Sequence, residues 1–155
     1  MSVLSEFCPR LGEALGVPDL NVDEAGAIDL IFEDTLQVQI IEIPDTSEIV
    51  YRSNIGALPE NADRAGVFAT LLQANYRWGV TARGHLSLDL DGVAVELIRR
   101  ETTKDLTYET FEDDLSDFVQ CANYWQAYLA GALPETETAA EPSAAEQPEA
   151  TGIPV

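Results

Sequence analysis

Apolar residues open the chain at helical spacing. Leu4, Phe7, Leu11 and Leu15 lie three, four and four positions apart, which places them on one stripe of a helix over residues 2–15. Pro9 falls inside that stripe and removes a backbone donor, so the helix kinks there or begins close to it. Gly16 followed by Pro18 supplies the stop. The period then drops to two. In AIDLIFEDTLQVQIIEI, residues 27–43, a three-residue loop at Glu33-Asp34-Thr35 pairs Phe32 with Leu36, Leu30 with Val38 and Ile28 with Ile40, all on one face. The opposite face carries Asp29, Gln37 and Gln39, but also Ile31, Ile41 and Ile43. Two readings stand for these isoleucines: another element covers them, or they form a patch for a partner's chain. A third strand, about 48–55, follows the break at Pro44-Asp45.

Pro59-Glu60-Asn61 begins the central helix, with Asn61 as its expected cap, and the helix runs to about Trp78. Val67, Leu71, Ala74 and Trp78 make one stripe; Phe68, Leu72 and Tyr76 make a second beside it. That band is wider than one sheet surface needs, so part of it meets another subunit or the helix is buried on most sides. The next stretch, HLSLDLDGVAVELI (85–98), imitates the middle of a calcium loop at Asp89, Asp91 and Gly92. With Gly92 at the sixth position, however, Ile98 falls at the twelfth, where a bidentate glutamate is required. The stretch reads better as a hairpin around Asp91-Gly92, pairing Leu90 with Val93, Leu88 with Val95 and Leu86 with Leu97. A last helix, about 107–130, aligns Phe111, Leu115, Phe118, Ala122, Trp125 and Leu129. Its first turns hold Glu112, Asp113, Asp114 and Asp117, which the positive end of the helix dipole favours. The predicted fold is α+β: three helices and a mostly antiparallel five-stranded sheet in the order α-βββ-α-ββ-α.

Composition divides the chain in two. Residues 1–130 form one domain. Residues 131–155, GALPETETAAEPSAAEQPEATGIPV, are rich in Ala, Glu and Pro and read as a disordered acidic tail. Of 28 acids and 8 bases, five acids and no base lie in that tail, so the domain still has 23 acids against 8 bases, a net charge of −15. Such acidity argues against nucleic acid or an anionic membrane as partner and favours basic ones; service to solubility alone is the other reading. No apolar run approaches the ~18 residues of a membrane span, and the N-terminus lacks the pattern of a signal peptide.

Candidate chemistry is sparse. His85, the one histidine, is expected on the polar face of its strand. Cys8 and Cys121 sit beside apolar stripes and lack an activating base. With one histidine and no Cys-x-x-Cys, neither a metal site nor a cofactor is expected. No phosphate-holding glycine loop is present. Nothing in the pattern argues for an enzyme.

Four stretches in this order resemble the class I chaperones of type III secretion, the Tir-chaperone-like (CesT) family: LGEALGVPDL (11–20), LLQANYRWGV (71–80), the LSLDLDGVAVEL hairpin, and FEDDLSDFVQCANYWQAYL (111–129). The resemblance covers about residues 4–130. It implies a homodimer in the bacterial cytoplasm that binds the N-terminal region of a secreted effector. The segment is kept soluble, non-globular and competent for export without ATP. It further implies a dimer interface on the central helix, at Phe68, Leu72 and Trp78, with the neighbouring hairpin strand. For the effector, it implies contacts at Leu4 and Phe7 of the first helix and at Ile31, Ile41 and Ile43 of the sheet. The alternative is an adaptor of the same fold that binds a folded regulatory or secretion-machine protein.

Overall fold

The computed structural model describes residues 2–131. Its elements are α1 (Val3–Leu15), β1 (Ala27–Phe32), β2 (Leu36–Ile43), β3 (Glu48–Ala57), α2 (Arg64–Arg77), β4 (His85–Leu88), β5 (Ala94–Thr102) and α3 (Tyr108–Leu129), with a short 3-10 turn, Gly79–Thr81, between α2 and β4. The expected order of three helices and five strands is the one found. Apart from Gly131, the tail expected over 131–155 lies outside the described residues.

Helix α1 runs unbroken through Pro9. Pro9 and Ser5, the residue whose carbonyl it leaves without a donor, are both exposed, so water can satisfy that oxygen. Ser2 caps the helix by accepting from the Ser5 N–H at 3.1 Å, and Gly16, at φ 72°, closes it. A second cap comes from the sheet. The Glu42 carboxylate on β2 accepts from the Val3 and Leu4 N–H groups, at 3.1 and 2.9 Å, and from the Ser2 hydroxyl. Burial works to raise the Glu42 pKa, but these hydrogen bonds outweigh it and hold the group below its ordinary value.

All strand pairs are antiparallel, in the order β1-β2-β3-β5-β4. The β1–β2 register is the predicted one, with Phe32 opposite Leu36, Leu30 opposite Val38 and Ile28 opposite Ile40. Leu4, Cys8 and Leu11 of α1 and Phe111, Leu115, Phe118, Ala122 and Trp125 of α3 share the core with the inward residues of these strands. At its centre Tyr51 packs between Phe111 and Phe118, with ring centroids 6.1 and 5.6 Å away.

Two local expectations are corrected. In the β4–β5 hairpin, Leu86 faces Leu97 and Leu88 faces Val95 as expected, but Leu90 and Val93 do not pair. The Asp89 carboxylate accepts from the Val93 and Ala94 N–H groups at 2.8 and 3.2 Å, and the Gly92 N–H donates to the Asp89 carbonyl at 3.0 Å. This local side-chain bonding replaces the two-residue loop with a wider one and leaves Leu90 fully exposed. Helix α2 also begins later than expected. The Ala62 N–H donates to the Pro59 carbonyl at 3.1 Å, so Asn61 is spent in a turn and Asp63 takes the cap position.

Candidate partner-binding surfaces

The two edges of the sheet differ. On β4, the Asn75 side chain of α2 acts as a substitute strand: its amide oxygen accepts from the Leu86 N–H at 2.7 Å and its NH2 donates to the Leu86 carbonyl at 2.9 Å. On β1, the Glu42 N–H donates to the Gly26 carbonyl at 3.0 Å, which fixes the phase of the ladder. Ile28, Leu30 and Phe32 then exchange bonds with β2, while Ala27, Asp29 and Ile31 direct their backbone groups outward. Asp23 occupies the Ala27 position, accepting from its N–H at 2.9 Å and donating to its carbonyl at 2.8 Å. Among the described residues, the open part of the edge is therefore Asp29–Ile31, and the Ile31 side chain is 70% exposed.

An apolar groove adjoins that edge. Leu11, Ala14 and Leu15 of α1, Leu115 and Val119 of α3, and Phe32 of β1 enclose about 240 Å³, with Glu112 on the rim. The helices are joined at one end of this groove. Arg10 pairs with Glu109 at 2.7 Å and lies 4.0 Å above the Tyr108 ring, while Phe7 packs against Tyr108 and Phe111 at 5.6 and 5.2 Å.

The structure separates the five residues expected to meet an effector. Leu4 is fully enclosed in the core, so it offers no surface to a partner; this corrects its assignment. The inward stripe of α1 passes through Leu4, Cys8 and Leu11, and Phe7 is half-buried against α3. Ile31, Ile41 and Ile43 lie on the opposite face of the sheet from α1. Ile41 stands between Ala27 and Val50, Ile43 beside Glu48, and both are half-buried. The isoleucines thus share one face, which Phe7 does not reach.

Helix α2 carries the other apolar surface. Leu71 and Ala74 turn into the core. Leu72, Tyr76 and Trp78 are exposed, at 68, 83 and 67%, and Phe68 is half-buried beneath the Arg64 guanidinium, 5.8 Å from its ring. Arg64 also donates to the Gly92 carbonyl at 3.2 Å, which brings the exposed hairpin tip to the start of α2.

A buried ionic cluster was not legible in the sequence. Arg99 of β5 is enclosed, and its Nη2 lies 2.6 Å from both Glu101 and Asp114. Arg83, in the loop before β4, reaches the same Asp114 oxygen at 2.7 Å and Glu101 at 3.6 Å. Burial works to lower the Arg99 pKa, but the bonds to Asp114 and Glu101 prevail and raise it. Asp114, expected among the carboxylates serving the helix dipole, instead joins α3 to the sheet. Beside this cluster the Tyr51 hydroxyl is buried without a hydrogen-bond partner among the described residues, and burial pushes its pKa up.

His85 is exposed on the outward face of β4. Burial raises the pKa of Cys8 and pushes that of Cys121 up to about 11, which leaves both as weak nucleophiles. Among the described residues, no group of three or more His, Cys, Asp or Glu side chains is placed to hold a metal ion, and no helix is long and apolar enough to cross a membrane.

A family model described as the Tir chaperone protein (CesT) family matches residues 8–126, which takes in the groove, most of α1 and α3, and the whole sheet. The chain belongs to that family. It is 26% identical over 129 residues to the transcriptional anti-antiactivator ExsC of Pseudomonas aeruginosa, covering 82% of this chain and 83% of ExsC. A protein of Chlamydia pneumoniae is 30% identical over 128 residues, covering 82% of this chain and 96% of that protein. The fold matches the ExsC–ExsE complex with a TM-score of 0.69 at 24% identity, over 83% of this chain and 97% of the other. It also matches the HopA1–SchA chaperone–effector complex with a TM-score of 0.63 at 13% identity, over 79 and 92%. The α+β fold of this chain is that of the type III secretion chaperones.

Proposed function

We propose that this chain is a chaperone of the bacterial cytoplasm, without enzymatic activity. It works as a homodimer that binds the N-terminal segment of a type III secreted protein and keeps it extended and export-competent without ATP. The observation that carries the reading is the open Asp29–Ile31 edge beside the α1–α3 groove. A segment added to β1 would alternate its side chains, one set toward Phe32 and the groove, the other beside Ile31 on the outer face. Each large aliphatic side chain so buried contributes roughly 1.5–3 kcal/mol, so several are needed to offset the ordering of an extended chain. Glu112 on the groove rim and a net charge of −20 favour a segment that also carries bases. The exposed Leu72, Tyr76 and Trp78, continuous with half-buried Phe68, support α2 as the self-association face.

The test is capture of bound proteins from the native host, with the bound region mapped by truncation. A secreted protein held through its N-terminal segment is the expected result. Ile41→Asp and Phe7→Asp variants that fold and bind that segment unchanged would remove both residues from the contact.

A second reading has its own support in the similarity to an anti-antiactivator: an adaptor that binds a folded regulatory protein. Capture of a cytoplasmic protein only when intact would favour it.

A further inference from the structure

We infer that Arg83 is a positioning residue for self-association, holding Trp78 in the orientation that the α2 face uses; the inference rests on the reading of α2 as that face. Trp78 ends α2 with a left-handed backbone, φ 36°, a conformation that helix ends usually give to glycine. Gly79 follows immediately, yet the tryptophan takes the position. Its carbonyl accepts from the Thr81 N–H at 3.3 Å and the Arg83 N–H at 2.9 Å, with the Thr81 hydroxyl 3.0 Å away. Ala82 and Arg83 are left-handed as well, at φ 49 and 62°.

This segment is tied to α3 at two points. The Val80 carbonyl accepts from the Trp125 indole at 2.8 Å and from the Cys121 thiol at 3.3 Å. The Arg83 guanidinium meets Asp114 at 2.7 Å. Beside the first tie lies a cavity of about 510 Å³, bounded by Val80 and Ala82 on one side and Asp117, Cys121 and Tyr124 on the other. A large aromatic that is two-thirds exposed adds little to the core of its own chain, and unfavourable backbone kept at such a residue points to use. Losing Arg83 would free the far end of the segment and leave the core intact, because Asp114 keeps Arg99 at 2.6 Å.

Sedimentation equilibrium of the full chain as wild type, Trp78→Ala, Arg83→Ala and Arg83→Lys tests this, with hydrogen exchange read at the Arg83 and Gly84 amides. Trp78→Ala is expected to weaken self-association about tenfold or more, as loss of an aromatic anchor does. Arg83→Ala is expected to weaken it by about the same factor, since the aromatic must then be ordered on association. Its thermal midpoint, read at a concentration where wild type and variant are both monomeric, falls by no more than about 4 °C, exchange at the two amides quickens, and Arg83→Lys recovers most of the affinity. If Arg83→Ala lowers that midpoint further, Arg83→Gln, which keeps the aliphatic stem, decides by the same readouts. If Trp78→Ala weakens association while the Arg83 variants do not, the positioning role is overturned and the α2 face stands. A monomeric wild type, or association unaffected by Trp78→Ala, overturns the face and with it this inference.

Discussion

The enclosed guanidinium of Arg99 on β5 and the carboxylate of Asp114 on α3 lie 2.6 Å apart, and this pair ties the last helix to the sheet one strand in from its β4 edge. Glu101 and Arg83 complete the cluster, which places two cations opposite two carboxylates. Removing one partner of a buried pair costs more than the pair contributes, because the other charge is left without compensation. Arg99→Ala should therefore destabilise the fold by about 3–5 kcal/mol. Arg83→Ala, at the exposed end of the cluster, should cost under ~1 kcal/mol. Urea unfolding at pH 7 compares them, and equal losses would count against this account.

Glu42 gives α1 a pH dependence. Its folded pKa is depressed, so its contribution is fully present above the ordinary carboxylate pKa and is lost as pH falls through the lower, folded value. Glu42→Gln should cost about 1–2 kcal/mol at pH 7, the scale of a helix cap. The gap between wild type and variant should narrow as the medium is acidified below the ordinary glutamate range. Urea midpoints across that range measure it, and a gap that widened toward acid would contradict the assignment.

Ile31→Lys probes the open edge. A lysine there tolerates water, and the side chain it replaces is already exposed, so stability should change by less than about 0.5 kcal/mol. Binding of a mapped partner segment, measured by calorimetry, should weaken about tenfold or more through the lost aliphatic contact and the charge placed on the edge.

Cys121 should resist alkylation. With its pKa pushed up to about 11, only about one molecule in a thousand carries the thiolate at pH 8. Labelling by iodoacetamide should be about two orders of magnitude slower in the native protein than in urea. Mass spectrometry of timed samples reads this directly, and comparable rates would show the site to be open.

The parts of the fold that sequence reveals are those in which neighbouring residues settle the matter. The β1–β2 hairpin is legible because apolar alternation and loop length both select one register, and a one-residue slip would reverse every side chain. The tip of the second hairpin misleads because Asp89 bonds its own backbone, a choice that alternation does not record. Leu4 and Phe7 fall on one helical stripe, but a stripe does not say which of its residues a second helix will enclose. Asp114 is the clearest case. On its own helix it is one carboxylate among several, and its role depends on two arginines brought in from β5 and the loop before β4.

Asn75 has a consequence for assembly. A sheet with two free sides can grow without limit, each added strand offering a fresh side to the next. Here one side ends in an amide that answers both backbone groups of Leu86. Strand addition is thereby opposed at Leu86, so β4 offers an incoming chain a less complete edge than β1 does, and side-to-side joining of copies is disfavoured there. If β1 takes up a segment as proposed, the occupied Leu86 position on the far side opposes passing that order on to a further strand.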